Sequence, residues 1–423
     1  MKVLVVGGGG REHAIIRKLK ESKKVDEIHA LPGNGGMYKD AITVNIGAKD
    51  IDAIVKYAVD NKFDYAVVAP DDPLVLGCVN ALNEVGIPCF GPTKEAAIIE
   101  GSKVFSKNLM KKYNIPTAKY EVFSDVESAL EYVKTCPIPT VIKADGLALG
   151  KGVIIALTRD EAIDAVSSIM ADKKFGSSGD NIVIEEFLEG PEVSVLAFTD
   201  GKCVKPMVSS MDHKRALDGD KGLNTGGMGT IAPNPYYTND IADICMETIF
   251  LPTIEAMKKE DREFRGCLYF GLMLTKDGPK VIEYNCRFGD PETQVVLPLL
   301  ESDLFEIMQA TTNGTLSECE VKFSDKYACC VIMASKGYPE KYENGFLMEI
   351  PEAIENGVYV AGARYADGKI YSAGGRVLGV TDVSTSLKNA IDGAYCKVKQ
   401  IKFDNAFYRN DIGARALLAT EEK

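Results

Sequence analysis

Two short segments near the N-terminus are apolar at every position, and they restrict the possible folds more than any other feature of the chain. Residues 3–6 read Val-Leu-Val-Val and residues 65–68 read Tyr-Ala-Val-Val. A half-exposed strand would alternate polar and apolar residues, so both faces of these strands are expected to be covered. Helical stretches at about 11–21 and 50–61 lie between the strands. The pattern predicts a parallel, doubly wound sheet.

The chain is long enough to require several domains. A single hydrophobic core stops growing at about 250–300 residues, and this sequence has 423. We therefore predict a multidomain protein that combines α/β and α+β units. Changes in the strand and helix pattern divide it into an N-terminal parallel α/β domain (1–101), a small α+β domain (102–190), a larger domain (191–326) and a C-terminal α+β domain (327–423).

Charge and composition exclude two classes of partner. The formal net charge of −12 argues against a protein that binds nucleic acid or a membrane surface. The 11 cysteines lack metal-binding or disulfide spacing, which indicates reduced thiols in a cytosolic protein. A first strand at Lys2 leaves no room for a signal peptide, and no apolar run is long enough to cross a membrane. We expect a cytoplasmic monomer.

Residues 283–292 carry the clearest chemical signal. They read Glu-Tyr-Asn-Cys-Arg-Phe-Gly-Asp-Pro-Glu and follow an apolar segment that predicts a buried strand. Residues two apart on a strand share a face, so Glu283, Asn285 and Arg287 are expected to point the same way. Carboxylate and amide oxygens suit Mg²⁺, and a guanidinium suits a phosphoryl oxygen. The segment predicts a site for ATP phosphates; the alternative is an edge strand with a solvated polar face.

A glycine-rich segment at the N-terminus is a candidate anion site. Residues 7–10 are all glycine and lie between a strand and a helix, where backbone N–H groups can bind an anion. Glu12 and His13 occupy the positions at which a dinucleotide-binding loop needs its third glycine. A smaller group such as a sugar phosphate therefore fits better. The alternative is that these glycines only form tight turns.

Two further loops could bind anions. Residues 146–152 lie between two predicted strands and have neither the spacing nor the hydroxyl residue of a P-loop. Such a hairpin could fold over phosphates and donate backbone N–H groups, or it could be an ordinary hairpin. The loop at 212–229 contains Lys214 and Arg215, which could bind a carboxylate or phosphate or belong to a solvated surface.

Six short motifs follow one another along the chain. Arg-Phe-Gly-Asp-Pro-Glu at 287–292 and Gly-Gly-Met-Gly at 226–229 are the most specific; the others are Glu-Gly-Ser-Lys at 100–103, Lys-Ala-Asp-Gly at 143–146, Glu-Glu-Phe-Leu at 185–188 and Met-Asp-His-Lys-Arg at 211–215. In this order they resemble the ATP-grasp superfamily, and within it the ligases that join glycine to phosphoribosylamine in purine biosynthesis. The resemblance covers essentially the whole chain.

The resemblance implies an ATP-grasp fold in which the small domain is a lid and ATP lies between it and the larger domain. Lys103 and Lys143 would contact phosphates, and Glu283 with Asn285 would bind Mg²⁺ or Mn²⁺. The remaining ATP-binding residues would be Gly150, Lys151, Gly152, Glu185, Glu186, Leu188 and Glu192.

The same resemblance implies where the two other substrates bind. Glycine and the acyl phosphate would face Asp212, Lys214, Thr225, Gly226, Arg287 and Glu292. Phosphoribosylamine would face Gly8, Gly9, Gly10, Arg11, Asn34, Asp71 and Asp72. The residues implied in catalysis are Lys103, Lys143, Asp212, Lys214 and Arg287.

The implied reaction joins glycine to 5-phosphoribosylamine through glycyl phosphate, and catalysis would come from positioning and charge neutralisation. Met211, Asp71 and Ile231 stand where the family usually has Gln, Glu and an aromatic residue. Residues 268–275 contain no acid, although many relatives place a metal ligand on that strand. Two alternatives remain: a ligase or carboxylase that uses bicarbonate or formate, and a regulatory protein that only binds nucleotide.

Overall fold

The N-terminal region folds around a five-stranded parallel sheet, which confirms the prediction from its apolar strands. The structure, a computed structural model, describes residues 1–147 and 152–421. The strands are β1 (Lys2–Gly7), β2 (Glu27–Pro32), β3 (Ile42–Thr43), β4 (Tyr65–Val68) and β5 (Cys89–Phe90). They pair in the order β3-β2-β1-β4-β5. The central strands β1 and β4 are buried along almost their whole length, so their continuous apolar sequence is explained.

The first four helices of this region lie between strands of the sheet, and the fifth follows β5. They are α1 (Gly10–Leu19), α2 (Ile51–Asp60), α3 (Asp71–Leu76), α4 (Cys78–Glu84) and α5 (Lys94–Gly101). Asp50 accepts a hydrogen bond from the Ala53 N–H at 3.2 Å and so caps α2, as its position in the sequence predicted.

The helical segment that follows β5 is interrupted. It consists of α5 and a second helix, α6 (Lys103–Lys112), because Ser102 has an extended backbone. The Ser102 hydroxyl accepts a hydrogen bond from the Phe105 N–H at 3.0 Å and caps α6. The break places Lys103 at the start of a new helix.

The next region is an antiparallel four-stranded sheet with its own core. Its elements are β6 (Tyr120–Phe123), α7 (Val126–Val133), β7 (Thr140–Ala144), β8 (Val153–Ala156), α8 (Arg159–Val166) and β9 (Ile182–Glu186). The order is β6-β9-β7-β8, and a π-helical turn, Ser167–Ala171, extends α8. The predicted hairpin is confirmed, because β7 pairs with β8 in antiparallel fashion. The apolar faces of α7 and α8 pack on this sheet.

A second antiparallel sheet of four strands follows in the chain. Its order is β11-β10-β16-β17. The strands from 192 to 285 are β10 (Glu192–Thr199), β11 (Val204–Pro206), β12 (Met211–Asp212), β13 (Arg215–Leu217), β14 (Lys221–Asn224), β15 (Gly229–Ala232), β16 (Gly266–Thr275) and β17 (Gly278–Asn285). The helices are α9 (Asn239–Cys245), α10 (Leu251–Lys259), α11 (Thr293–Val296) and α12 (Leu304–Asn313). Helices α9 and α10 are joined by the π-helical turn Met246–Phe250.

The last sheet combines strands from two of the predicted domains. The order β12-β15-β18-β23-β20 joins β12 and β15 to strands that follow residue 326. These later elements are β18 (Tyr327–Ser335), β19 (Leu347–Met348), β20 (Val358–Val360), β21 (Ala363–Ala366), β22 (Lys369–Ser372), β23 (Arg376–Ser384), α13 (Leu387–Val398), β24 (Ala406–Phe407) and α14 (Ala414–Glu421). Strand β24 pairs with β18, and β19-β22-β21 form a small separate sheet. The proposed domain boundaries stay predictions.

Short 3₁₀ helices complete the chain between these elements; they are Met37–Lys39, Gly176–Gly179, Leu297–Leu299, Leu316–Glu318 and Glu352–Gly357. One hydrophobic core contains Val3 and Val5 of β1, Phe198 of β10 and Cys330 of β18. Three regions that are distant in sequence therefore form one body. Within the described part of the chain, no helix is long and apolar enough to cross a membrane.

Candidate active site

A cleft of about 1140 Å³ lies between the small antiparallel sheet and the β10-β16-β17 wall. It gathers most of the residues predicted from the sequence. The predicted residues that line it are Arg11, Asp71, Lys103, Lys143, Gly152, Glu185, Glu186, Leu188, Glu192, Asp212, Lys214, Thr225, Gly226, Glu283, Asn285, Arg287 and Glu292. The predicted residues that converge on this site come from the first three predicted domains. Arg376 and Arg415 of the fourth domain line it too.

The other predicted residues lie elsewhere. Gly8, Gly9, Gly10, Asn34 and Asp72 are not among the residues that line the cleft. Gly150 and Lys151 lie outside the described residues.

A bulge in β17 directs two polar side chains into the cleft. Gly271 on β16 pairs with Glu283, whereas the next residue of β16, Leu272, pairs with Val281, so Ile282 is the extra residue. Val281 and Tyr284 are buried in the core. Glu283 and Asn285 line the cleft.

The carboxylate of Glu100 holds this segment from behind. Its Oε1 accepts hydrogen bonds from Asn285 Nδ2 at 3.1 Å and from Arg287 Nη2 at 2.9 Å. Its Oε2 accepts one from the Cys286 N–H at 2.7 Å. Because the amide nitrogen of Asn285 is engaged, its Oδ1 is the atom that remains to bind a cation in the cleft.

The electrostatic surroundings keep Glu283 ionised. Burial alone would raise the pKa of its carboxyl, but three neighbouring ammonium groups outweigh burial and lower the pKa below its ordinary value. These groups belong to Lys214, Lys143 and Lys103. None of the described residues forms an ion pair with Glu283 within 4 Å. The carboxylate is thus charged and unoccupied by a direct partner.

This donor set fits a hard divalent cation bound together with phosphate. Among residues 1–147 and 152–421, no group of three or more His, Cys, Asp or Glu side chains is arranged to hold a metal ion. Glu283 and the Asn285 amide oxygen supply two oxygen ligands. Mg²⁺ is commonly bound by one or two protein ligands together with substrate phosphates and water, so two ligands are enough.

Three lysines and one glutamate cluster at one side of the cleft; Lys107, Lys143 and Glu185 are buried, and Lys103 is partly buried. Glu185 forms ion pairs with both Lys107 and Lys143. Burial lowers the pKa of Lys107 to about 8, although Glu185 opposes the change. Lys143 Nζ also donates to the Ile282 carbonyl at 3.0 Å. Lys103 Nζ donates to the Gly146 carbonyl at 3.1 Å, and burial lowers its pKa.

The segment after β9 forms the far end of the cleft. Leu188 and Glu186 line it, and Glu186 Oε1 accepts a hydrogen bond from the Lys119 N–H at 3.0 Å. The carboxylate of Glu192, at the start of β10, forms an ion pair with Lys214 at 2.9 Å. Although burial opposes it, Glu192 and Glu283 raise the pKa of Lys214 well above its ordinary value, so this ammonium is charged.

Two carboxyl groups lie close together on the opposite side. Burial and the neighbouring Glu292 carboxylate raise the pKa of Asp212 well above its ordinary value. Asp212 Oδ1 accepts a hydrogen bond from the His213 N–H at 2.7 Å. Glu292 Oε1 accepts one from the Ser194 hydroxyl at 3.3 Å, and the hydroxyls of Ser194 and Tyr269 are 2.8 Å apart. The pair would be stabilised by a cation placed between them.

Basic groups lie beside this pair. Burial would raise the pKa of Asp71, but Arg287 and Arg11 lower it. Arg287 Nε is buried and has no acceptor among the described residues. Arg376 Nη1 donates to the Asp290 carbonyl at 2.8 Å, and its Nη2 lies 3.5 Å from the Asp290 carboxylate. Each of the three arginines therefore has a carboxylate beside it: Arg11 pairs with Glu12, Arg287 with Glu100 and Arg376 with Asp290.

The N-terminal loop has mainly internal contacts. A Cβ at Gly8 would lie 2.3 Å from the Gly33 carbonyl oxygen, so close approach of two turns requires glycine there. Asn34 Nδ2 donates to the Gly8 carbonyl at 2.9 Å and to the Val360 carbonyl at 2.7 Å. Asp72 forms an ion pair with Lys49 at 2.7 Å. In this conformation the Asn34 amide and the Asp72 carboxylate serve internal contacts.

Sequence reasoning missed three residues of the cleft. Lys107 follows Lys103 by four positions on α6, and this spacing places both on one helix face. Arg376 follows two glycines and was not among the predicted site residues. Glu100 was part of a motif but had no role. The helical spacing was the one signal that could have found Lys107.

Comparison with known families covers most of the chain. The phosphoribosylglycinamide synthetase family has models for three domains, and all three match. The N domain matches residues 1–100, the ATP-grasp (A) domain matches residues 101–293, and the C domain matches residues 328–415.

Full-length relatives agree with these matches. The chain is 48% identical over 418 residues to a phosphoribosylamine–glycine ligase of Caldanaerobacter subterraneus, which covers 98% of this chain and 100% of the relative. It is 46% identical over 413 residues to the ligase of the same name from Clostridium acetobutylicum, with 98% and 99% covered.

Solved structures show the same fold. A crystal structure of phosphoribosylamine–glycine ligase from Thermotoga maritima superimposes with a TM-score of 0.86 at 34% identity, covering 97% of this chain and 100% of the other. The biotin carboxylase domain of 2-oxoglutarate carboxylase from Hydrogenobacter thermophilus, solved with MgADP and bicarbonate, has a TM-score of 0.76 at 17% identity and covers 96% and 91%. This second likeness concerns the fold alone.

Proposed function

Since this chain belongs to the phosphoribosylglycinamide synthetase family, we propose how its cleft carries out the ATP-dependent ligation of glycine to phosphoribosylamine. The chain is a carbon–nitrogen ligase of purine biosynthesis. Its chemistry must turn a carboxylate, which is a poor electrophile, into an acyl group with a leaving group. Transfer of the γ-phosphoryl group of ATP to glycine supplies that leaving group.

ATP is proposed to lie with its phosphates among the lysines and its adenine against the segment after β9. Lys103 and Lys143 face the phosphates, and Lys107 holds Glu185 next to Lys143. Glu186, Leu188 and the ribose-binding Glu192 are assigned to the nucleoside end; Gly152 follows the hairpin turn and is assigned to the phosphates. The cluster of lysines supports this orientation, because positive charges that are largely removed from water are stabilised by a bound anion. The triphosphate of ATP would supply that negative charge.

A divalent metal, Mg²⁺ or Mn²⁺, is proposed to be held by Glu283 and Asn285. When bound, it would neutralise charge on the phosphate oxygens. The ionised, directly unpaired carboxylate and the oriented amide oxygen support this assignment.

The first step is attack of a glycine carboxylate oxygen on the γ-phosphorus. The new O–P bond forms as the bond to the β-phosphate oxygen breaks, which yields glycyl phosphate and ADP. Lys143 and Arg287 stabilise the charge on the transferred phosphoryl group, and Lys214 orients the glycine carboxylate. Because all of these groups are cationic and preorganised, they act by positioning and charge neutralisation rather than as nucleophiles.

The buried pair Asp212 and Glu292 is the observation that carries the choice of glycine. Two neighbouring carboxyl groups in a buried site repel each other, and an ammonium group between them would relieve the repulsion. The α-ammonium of glycine has this charge, whereas bicarbonate and formate have no cationic group. The same pair would therefore reject the substrates of the alternative carboxylase function. The backbone of Thr225 and Gly226 borders this subsite.

Phosphoribosylamine is proposed to approach from the end of the cleft at which Arg11, Asp71 and Arg287 lie. Its neutral amine attacks the carbonyl carbon of glycyl phosphate, the C–N bond forms, and the carbon–oxygen bond to phosphate breaks. The proton lost by the amine leaves with phosphate or solvent. The Gly8–Gly10 turn, Asn34 and Asp72 would reach this substrate only through backbone groups or a change of side-chain partners.

ADP release tests the proposal. The wild-type protein, given ATP and Mg²⁺, is supplied in turn with glycine, bicarbonate and formate, each with and without phosphoribosylamine. We expect release only with glycine. Asp212→Asn should raise the KM for glycine by about a hundredfold, since it removes one charge of the ammonium site.

The exposed Asp240→Asn, on α9, is the matched control and should behave as wild type. Bicarbonate-dependent release, or an unchanged KM for glycine in Asp212→Asn, would contradict the proposal. The expected monomeric state and cytoplasmic location stay predictions; 11 free cysteines suit a reducing compartment.

A further inference from the structure

The hairpin β13–β14 lacks the packing that normally stabilises a pair of strands. Among the strands of residues 1–147 and 152–421 it pairs with no third strand, and two-stranded hairpins are marginally stable on their own. Leu217 and Leu223 are 53% and 52% exposed, so they do not anchor it in a core. Nevertheless Arg215, Asp220 and Asn224 of this hairpin line the cleft. Another part of the chain must hold it in place.

A buried arginine near the C-terminus makes the central contacts. Arg409 is 2% exposed. Its Nη1 donates to the Arg215 carbonyl at 3.0 Å and to Asp220 Oδ1 at 3.0 Å. Its Nε and Nη2 donate to the two carboxylate oxygens of Asp411, each at 2.8 Å. One guanidinium thus links the start of β13 and the turn between the two strands to the C-terminal segment. Its orientation is fixed by the bidentate contact with Asp411.

Neighbouring residues add further bonds to the hairpin. The Asn410 N–H and Nδ2 donate to the Asp218 carboxylate at 2.8 and 3.0 Å. Asp411 Oδ2 accepts a hydrogen bond from the Gly219 N–H at 2.8 Å. The Gly413 N–H donates to His213 Nε2 at 3.1 Å. Residues 409–413 therefore contact the hairpin at its turn and at its base.

The base of the hairpin carries the groups assigned to glycine. Lys214 directly precedes β13, and its carbonyl accepts hydrogen bonds from both the N–H and the hydroxyl of Thr225, each at 2.8 Å. Asp212 lies two residues before Lys214. Displacement of the hairpin would therefore move the ammonium and carboxylate ligands of glycine. The lysines assigned to the phosphates of ATP lie on other elements, and Lys214 reaches the nucleoside end only through its partly exposed ion pair with Glu192, at 2.9 Å.

We propose that Arg409 is a positioning residue for the glycine subsite, acting through the β13–β14 hairpin. The inference rests on the proposed function, because it takes Asp212 and Lys214 as the glycine ligands. It predicts a selective defect. The KM for glycine should change while the KM for ATP does not, whereas a residue that only supports the fold would affect both or neither.

The experiment compares Arg409→Gln, Arg409→Lys and a control with wild type. Arg265 is the matched control: its Nε donates to Glu263 Oε1 at 2.8 Å and its Nη1 to the Thr312 carbonyl at 3.0 Å, and it does not line the cleft. We expect Arg409→Gln to raise the KM for glycine by about tenfold with the KM for ATP within about twofold. Amide hydrogen exchange at 215–224 should accelerate. Arg409→Lys should recover part of the loss, because one ammonium replaces only some contacts of the fork.

Arg265→Gln should leave both KM values and the exchange at 215–224 unchanged. An unchanged KM for glycine in Arg409→Gln, an equal rise in the KM for ATP, or unaltered exchange at the hairpin would overturn the inference. If Arg409→Gln does not fold, Asn410→Ala, which removes the bond from Nδ2 to Asp218 and keeps the one donated by the N–H of residue 410, carries the same test with about a threefold effect. Wild-type ADP release that did not depend on glycine would refute the proposed function instead.

Discussion

The carboxylate of Glu100 fixes the amide of Asn285, whose Nδ2 donates to Glu100 Oε1 at 3.1 Å. The same carboxylate accepts hydrogen bonds from the Arg287 guanidinium and the Cys286 N–H. One buried side chain at the end of α5 therefore orients a proposed metal ligand and a proposed catalytic arginine. Groups that orient metal ligands are commonly as sensitive to substitution as the ligands themselves.

Glu100→Gln should impair metal use without removing a ligand. The new amide nitrogen would face either the Cys286 N–H or the two donors Asn285 Nδ2 and Arg287 Nη2, so at least one of the three bonds must break. We expect a loss of about 10- to 100-fold in kcat/KM and a rise in the Mg²⁺ concentration needed for half-maximal ADP release. Glu95→Gln, an exposed carboxylate on the same helix, is the control. An unchanged Mg²⁺ dependence would show that Glu100 does not orient the metal site.

Glu283→Gln and Arg287→Ala should each reduce the rate of ligation by about a hundredfold or more, since each removes one preorganised charge. The reason for the lower rate should differ between the two variants. Glu283→Gln should also change the response to Mg²⁺ and Mn²⁺, whereas Arg287→Ala should not. Asp277→Asn, an exposed carboxylate in the turn before β17, serves as control. Turnover near the wild-type rate in either variant would remove that residue from the site.

The position of Glu283 was predictable, but the geometry that exposes it was not. Strict alternation along β17 would place Val281 on the same face as Glu283 and Asn285. The bulge at Ile282 removes this conflict, because Val281 enters the core while Glu283 and Asn285 line the cleft. A bulge depends on the pairing with β16, and a single strand's sequence does not specify its partner's register.

Contacts between segments that are distant in sequence were the second feature that could not be predicted from the sequence. The parallel sheet followed from local apolar patterns, and the motif residues converge on one cleft as predicted. By contrast, Arg376 reaches that cleft from β23, through a sheet that joins β15 to β18. Nothing in the local sequence of Arg376 indicates this pairing.

Two adjacent glutamates offer a test of the lysine cluster. The Glu185 carboxylate is buried between Lys107 and Lys143, and burial, which would raise its pKa, is outweighed by these two lysines. Glu185→Gln would leave two buried ammonium groups without their counter-ion. We expect a loss of about 3–5 kcal/mol in the free energy of unfolding and a rise in the KM for ATP. Denaturant unfolding and ATP titration measure both.

Glu186→Gln is the matched control for that experiment, since the next carboxylate along the chain is only partly buried and accepts a hydrogen bond from the Lys119 N–H. A change of about 0.5 kcal/mol or less is expected there. Equal destabilisation by the two substitutions would mean that the ion pairs of Glu185 contribute no more to the free energy of unfolding than the contacts of the partly buried Glu186.

His213 should make stability depend on pH. Burial, helped by Arg409 and Arg415, lowers the pKa of this imidazole to about 4. An unfolded chain would protonate it near pH 6.5, so between these values the unfolded state binds the extra proton. Stability is therefore complete above about pH 6.5 and declines as the pH falls towards 4. Between pH 7 and 5 the loss from this residue is about 2 kcal/mol.

Urea unfolding of wild type and His213→Gln at pH 7 and pH 5 measures this contribution. The variant should be less stable at pH 7, because Nε2 accepts a hydrogen bond from the Gly413 N–H and the ring contacts the Gly229 carbonyl. It should lose less than wild type on acidification, although some loss remains from His13, whose pKa is also lowered by burial. Since the neutral ring accepts the bond from residue 413, the same acidification should loosen the β13–β14 hairpin in wild type. Parallel losses in the two proteins between pH 7 and 5 would show that His213 is not the group that titrates.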